Sequence, residues 1–191
     1  MKLKRAIAAS VLVSAFAAPV AAGTFEDALE AHARGDYAKA LRLIRALAND
    51  GDPTAQFNLA LMYTTGQGVQ QDNAAAASWF RKAAGQGYAP AQSNLGTVYL
   101  YGRGVTQDDT EAAAWFRKAA DQGDAIAEFL LGNQYANGKG VPQDYSEAMI
   151  WFQRAAEQGR RQALSRVCRR PRRAAGLCSS PHVVQSSGGT G

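Results

Sequence analysis

Two histidines, two cysteines and three tryptophans are the residues of this chain with the most chemical potential. His32 and His182 are far apart, and neither has Cys, Asp or Glu at spacings that would complete a zinc site. No serine sits in a Gly-x-Ser-x-Gly elbow, and no glycine loop ends in Lys-Ser or Lys-Thr. Catalysis needs activated groups held together, so the chain reads as non-enzymatic, with no metal and no cofactor. His32 reads as a surface residue of a helix. Three Gly-x-Gly-Val stretches, opening at Gly66, Gly102 and Gly138, look superficially like phosphate loops but have no strand before them. Trp79, Trp115 and Trp151 would suit a ligand cage, yet their even spacing favours packing. Cys168 and Cys178 are ten residues apart. In an oxidising compartment they can close a disulfide across Pro171, stabilising the segment by up to about 3 kcal/mol. Two free thiols, or a bond between chains, fit the sequence as well.

The elements that must position these residues come from an internal repeat. Sliding the 191-residue chain by 36 leaves fifteen columns identical in three copies. In the first copy they are Ala55, Leu59, Tyr63, Gly66, Gly68, Val69, Gln71, Asp72, Ala76, Trp79, Phe80, Ala83, Ala84, Gln86 and Gly87. Ala55, Leu59 and Tyr63 fall four apart and line one helical face. Gly66 and Gly68 end that helix, and Val69 plugs the loop against the body. Asp72, Asp108 and Asp144 stand where a carboxylate caps a second helix. Glu111 and Glu147 add capping-box spacing in the second and third copies. Ala76, Trp79, Phe80, Ala83 and Ala84 then form an apolar stripe at three-and-four spacing, and Gly87, Gly123 and Gly159 end the second helix. One helix pair cannot bury its own apolar face, so the units must stack. The expected fold is all-α, an α/α right-handed superhelical solenoid, with repeats at 53–88, 89–124 and 125–160.

The flanks differ. Residues 1–22 read as a signal peptide: Lys2, Lys4 and Arg5, an apolar run from Ala6 to Val20, then small residues with cleavage near Ala22-Gly23. Export to the periplasm is the expectation. Residues 23–52 read as a degenerate capping helix pair with a short Gly35-Asp36-Tyr37 link, and Leu43 stands in the tryptophan column. A C-terminal capping helix is expected over 161–170, with Ala163 and Val167 in the Ala55 and Leu59 columns and Pro171 ending it. Residues 171–191 read as a basic to Gly/Ser-rich disordered tail. The formal net charge of +5 hides a division. Gly23 to Gly159 holds 11 Lys/Arg against 16 Asp/Glu, whereas seven arginines and no acid follow from Arg160. An acidic body argues against a nucleic-acid partner. The basic tail has three readings: contact with an anionic envelope surface, folding back on the acidic body, or simple solvation.

The pattern Ala-x-x-x-Leu-x-x-x-Tyr-x-x-Gly-x-Gly-Val-x-x-Asp, then Ala-x-x-Trp-Phe and Ala-Ala-x-Gln-Gly, resembles the Sel-one-like repeat family, a subclass of tetratricopeptide-like helical repeats. The resemblance implies an adaptor that holds other proteins or peptides in envelope assembly, stress response or signalling; a monomer is expected. A regulator or inhibitor of one envelope enzyme is the alternative, and a cell-wall or β-lactam hydrolase the weakest reading. It further implies that the first helix of each pair lines the concave side. The candidates for contact are therefore Phe57, Leu61 and Thr65, then Ser93, Thr97 and Tyr101, then Phe129, Asn133 and Asn137. Phe57, Tyr101 and Phe129 either anchor a partner or pack against the neighbouring unit.

Overall fold

A computed structural model describes residues 25–168, with side chains described for 25–160. Residues 1–22, expected to be a signal peptide, residues 171–191 and Cys178 lie outside the described residues, and so does the expected Cys168–Cys178 disulfide. The described chain is eight helices: α1 (Phe25–Ala33), α2 (Tyr37–Asn49), α3 (Pro53–Thr65), α4 (Asn73–Gly85), α5 (Ala89–Tyr101), α6 (Asp109–Ala120), α7 (Ala125–Asn137) and α8 (Tyr145–Cys168). Extensive packing joins only helices consecutive in the chain, so the fold is a linear stack of α-helical pairs.

Each unit is closed by the same local contacts. Asp72, Asp108 and Asp144 accept from the two backbone amides at the start of their helices, as at Ala74 and Ala75. Their own backbone N–H groups donate to the carbonyls of Tyr63, Tyr99 and Tyr135. That use of the amide leaves no donor for Glu111 or Glu147, so the capping-box reciprocity expected from their spacing is replaced by a tie between the two helices of a unit. Leu59, Leu95, Leu131 and Phe116 are the largest fully buried side chains. Truncating any of these leucines to alanine costs about 2–5 kcal/mol by the measure of comparable core sites.

The second glycine of each loop does a different job from the first. A Cβ on Gly104 would overlap the Asn73 carbonyl, and one on Gly140 would overlap the Asp109 carbonyl. Both loops thus press on the first residue of the preceding unit's second helix, and Gly68 meets Tyr37 in the same way. Side-chain volume is excluded there, and φ is +74° at Gly104 and +69° at Gly140.

The C-terminal boundary departs from the expectation. No break occurs at Gly159: α8 runs unbroken from Tyr145 to Cys168 in place of a second helix ending at Gly159 and a separate capping helix over 161–170. Gly87 and Gly123 adopt positive φ, whereas Gly159 does not. The cause lies in the residues just beyond each glycine. Gly87 precedes Tyr88-Ala89-Pro90 and Gly123 precedes Asp124, which caps α7. Gly159 precedes Arg160-Arg161-Gln162-Ala163, all good helix formers with no capping residue.

Gly159→Ala therefore stabilises the protein by about 0.5–1 kcal/mol, because its Cβ would meet nothing and helical alanine is favoured. Gly140→Ala, by contrast, costs more than about 2 kcal/mol through backbone overlap and positive φ. Thermal unfolding of both variants checks this pair. A Gly159→Ala loss comparable with that of Gly140→Ala would show a chain turn at 159.

Candidate protein-binding face

Grooves lie between the first helices α1 and α3 and between α3 and α5, floored by residues of α2 and α4. One groove of about 310 Å³ is lined by Leu29 and His32 of α1, Ile44 of α2, and Asn58, Leu61 and Thr65 of α3. A smaller one, about 50 Å³, lies between α3 and α5, with Phe80 of α4 in its floor and Thr97 and Arg103 on its wall. Leu61 lines both and stands between them, so the two grooves are neighbours on one face. The rims are polar and the floors apolar, an arrangement suited to an extended or helical polypeptide whose side chains drop into the grooves.

The nine expected contact residues divide into three rows. Leu61, Thr97 and Asn133 are half-buried, and the first two line the grooves. Thr65, Tyr101 and Asn137 lie one turn further on and are exposed. Tyr101 is 61% exposed, and its ring is faced by the Arg103 guanidinium at 5.3 Å. The row of Phe57, Ser93 and Phe129 behaves otherwise. Phe57 packs against Phe80 at 5.8 Å and against Tyr88, at the start of the next unit, at 5.4 Å. This row therefore faces the junction between units. Ser93, 5% exposed, is buried there and is corrected from a contact residue to a packing residue. Phe129 is 52% exposed and rests on Phe152, beside Ala125, Ala155 and Ala156 in an apolar hollow.

His32 is also relocated: it is half-buried, its Nε2 lies 3.0 Å from Gln67 Oε1, and its ring meets the edge of Tyr37. It joins α1 to the loop after α3. The tryptophans form no cage. Trp79 and Trp115 pack between units with Lys82 and Lys118 ammonium groups 3.8 Å over their rings, and Trp151 is buried with Arg154 above it at 4.7 Å.

Two ladders of polar contacts run along the stack, an exposed one of arginines and tyrosines and a part-buried one of glutamines. Arg45 and Arg81 donate to the hydroxyls of Tyr63 and Tyr99 at 3.3 and 2.9 Å, and Arg117 donates likewise to Tyr135. Gln86 and Gln122 donate to the Oε1 atoms of buried Gln56 and Gln92 at 2.8 and 2.7 Å. All of these recur at 36-residue spacing, the signal that could have revealed them. Among the described residues no group of three His, Cys, Asp or Glu side chains is placed to hold a metal ion, and no helix is long and apolar enough to cross a membrane.

With this geometry the comparisons with known proteins agree. The family model for the Sel1 repeat matches residues 53–88, 89–124 and 125–159. Among solved structures, a Sel1 repeat protein from Oxalobacter formigenes is 35% identical over 75% of this chain and 59% of that one, with a TM-score of 0.68. A protective antigen of uropathogenic Escherichia coli strains, described as displaying an SLR fold, is 37% identical over 76% of this chain and 33% of that one, also at 0.68. The chain thus spans between a third and three-fifths of the length of these two relatives. No curated protein matches it significantly.

Phe57→Ala and Tyr101→Ala separate packing from contact. Losing Phe57 removes a ring wedged between two others and costs about 2–3 kcal/mol. Losing Tyr101 changes stability by less than about 0.5 kcal/mol. Urea unfolding at constant m-value measures both, and equal losses would put Tyr101 in the core.

Proposed function

This chain belongs to the Sel1 repeat family, and on that premise we propose that it is a non-catalytic scaffold holding a partner polypeptide across its first helices. Sel1 repeat proteins are in general protein-interaction scaffolds. The observation that carries the reading here is the pair of adjacent grooves that share Leu61, with variable residues on an otherwise repeated framework. Scaffold columns are identical in three copies, whereas Leu61, Thr97 and Asn133, and Thr65, Tyr101 and Asn137, change chemistry from unit to unit. A surface of that kind presents different side chains at regular intervals, so it selects one peptide register over others. Tyr101, exposed at the end of α5 beside Arg103, is the aromatic a partner would use as an anchor.

The finer reading is an exported scaffold working in the periplasm as a monomer. It is supported by the basic, apolar and small-residue order of residues 1–22. Envelope assembly, stress response and signalling are the processes such a scaffold would serve.

The test compares the mature protein, residues 23–191, with a Leu61→Asp/Tyr101→Ala double variant as bait in periplasmic extract. Partners captured by the parent drop at least tenfold on the variant, while both baits keep the same helical circular dichroism. Equal capture by both would remove the groove from the binding surface. N-terminal sequencing of protein recovered from the periplasm is expected to begin at Gly23; recovery of an uncleaved chain from the cytoplasm would overturn export.

A further inference from the structure

In the first two full repeats a buried glutamine closes the joint with the unit before it. Gln56 Nε2 donates to the Ala48 carbonyl at 3.1 Å, and Gln92 Nε2 donates to the Ala84 carbonyl at 3.2 Å. Each uses its amide oxygen to accept from the glutamine at the end of the next helix, Gln86 or Gln122. The rung therefore needs a donor and an acceptor on one planar head. In the third repeat the same column holds Glu128, a side chain of nearly identical shape. It is 4% exposed, and its Oε2 is buried with no hydrogen-bond partner. The residue eight positions earlier, matching Ala48 and Ala84, is Ala120, which lines the same hollow. An ionised carboxylate only accepts and cannot serve that carbonyl, whereas a protonated carboxyl has one O–H to give.

We propose that Glu128 is a proton-operated rung: protonated, it donates to the Ala120 carbonyl and locks the third repeat onto the second; ionised, it leaves that carbonyl with the Gly123 amide alone and loosens the joint between α6 and α7. The hollow beside it, about 300 Å³ and lined by Asp121, Gly123, Arg154, Glu157 and Gln158, gives water and protons a route to the carboxyl. The charged groups facing Glu128 come from three places. Asp121 follows α6, Asp124 caps α7 and is itself engaged with the Ala127 amide, and Arg154 and Glu157 stand on α8. Burial favours the neutral acid, Arg154 opposes that, and Asp124 reinforces it; together they raise the Glu128 carboxyl above its ordinary value. Arg154 already lies over the Trp151 ring, which divides its charge between two partners.

The sign follows from proton counting. Across the interval between the unfolded and folded pKa values, the folded chain holds a proton that the unfolded chain has released. Stability from this rung is full below the unfolded value and declines as pH rises to the folded one. A glutamine at 128 supplies the donor at every pH.

Thermal unfolding of the full chain and of Glu128→Gln between about pH 4 and pH 8 tests the device. The two melt together at the acid end, and the variant gains a few degrees over the parent as pH rises. A carbon-13 titration of the Glu128 carboxyl on folded protein shows a midpoint above that of exposed glutamates. A gap that does not change with pH, a variant less stable at pH 8, or an ordinary or lowered midpoint would each overturn the proposal and make Glu128 an ion-pair partner of Arg154.

Discussion

The stack depends on backbone meeting backbone where each loop touches the helix behind it. The second glycine of a loop sits against the first residue of the preceding second helix so closely that a methyl group would overlap the carbonyl. That contact fixes how far one unit is displaced from the last. With the displacement set, the tryptophans reach back to the preceding unit and the arginine–tyrosine and glutamine rungs come into register. A repeat whose loop kept Gly102 but lost Gly104 would still end its helix properly, yet it would stack at the wrong distance.

Much of this was legible in the sequence, for a physical reason. Identical columns report demands that recur in every unit, and helix caps, loop glycines and core leucines are such demands. The helix pairs at 53–160 follow directly from Asp72, Gly66, Leu59 and their copies. What escaped were features that depend on neighbours. Gly159 looks like Gly87 and Gly123 when taken alone, but a glycine ends a helix only when the next residues can start another. Ser93 lies on the same helix as Tyr101, and four-residue spacing alone puts both on one surface. It faces the unit junction, a distinction that a helical wheel for one isolated helix does not make. The two polar ladders were hidden because their columns are not identical throughout: Gln56 and Gln92 give way to Glu128, and the residue in line with Arg45, Arg81 and Arg117 is Gln153.

The third repeat collects the departures from the common pattern. It carries Glu128 in place of glutamine, and Gln134 in the column where Met62 and Val98 are buried. The Gln134 Nε2 and Trp151 Nε1 atoms are buried without partners. Its outer face exposes Ile126, Phe129, Met149 and Ile150. The first two full units are nearly saturated in their polar contacts, whereas the last holds polar groups and apolar surface in less settled surroundings. Unpaired groups lower the cost of local opening, so the described array is firmest in its middle and softest towards α7 and α8.

Extensive contacts confined to consecutive helices have a mechanical consequence. A globular domain pulled from two points resists through long-range contacts that fail together. Here tension along the stack is carried from unit to unit, like the turns of a coil spring, and small changes of angle at each joint add up over the whole length. Small rotations at the joints can therefore change the length of the stack without unfolding any helix, and a polypeptide held across several units would feel them as a change in the spacing of its binding points.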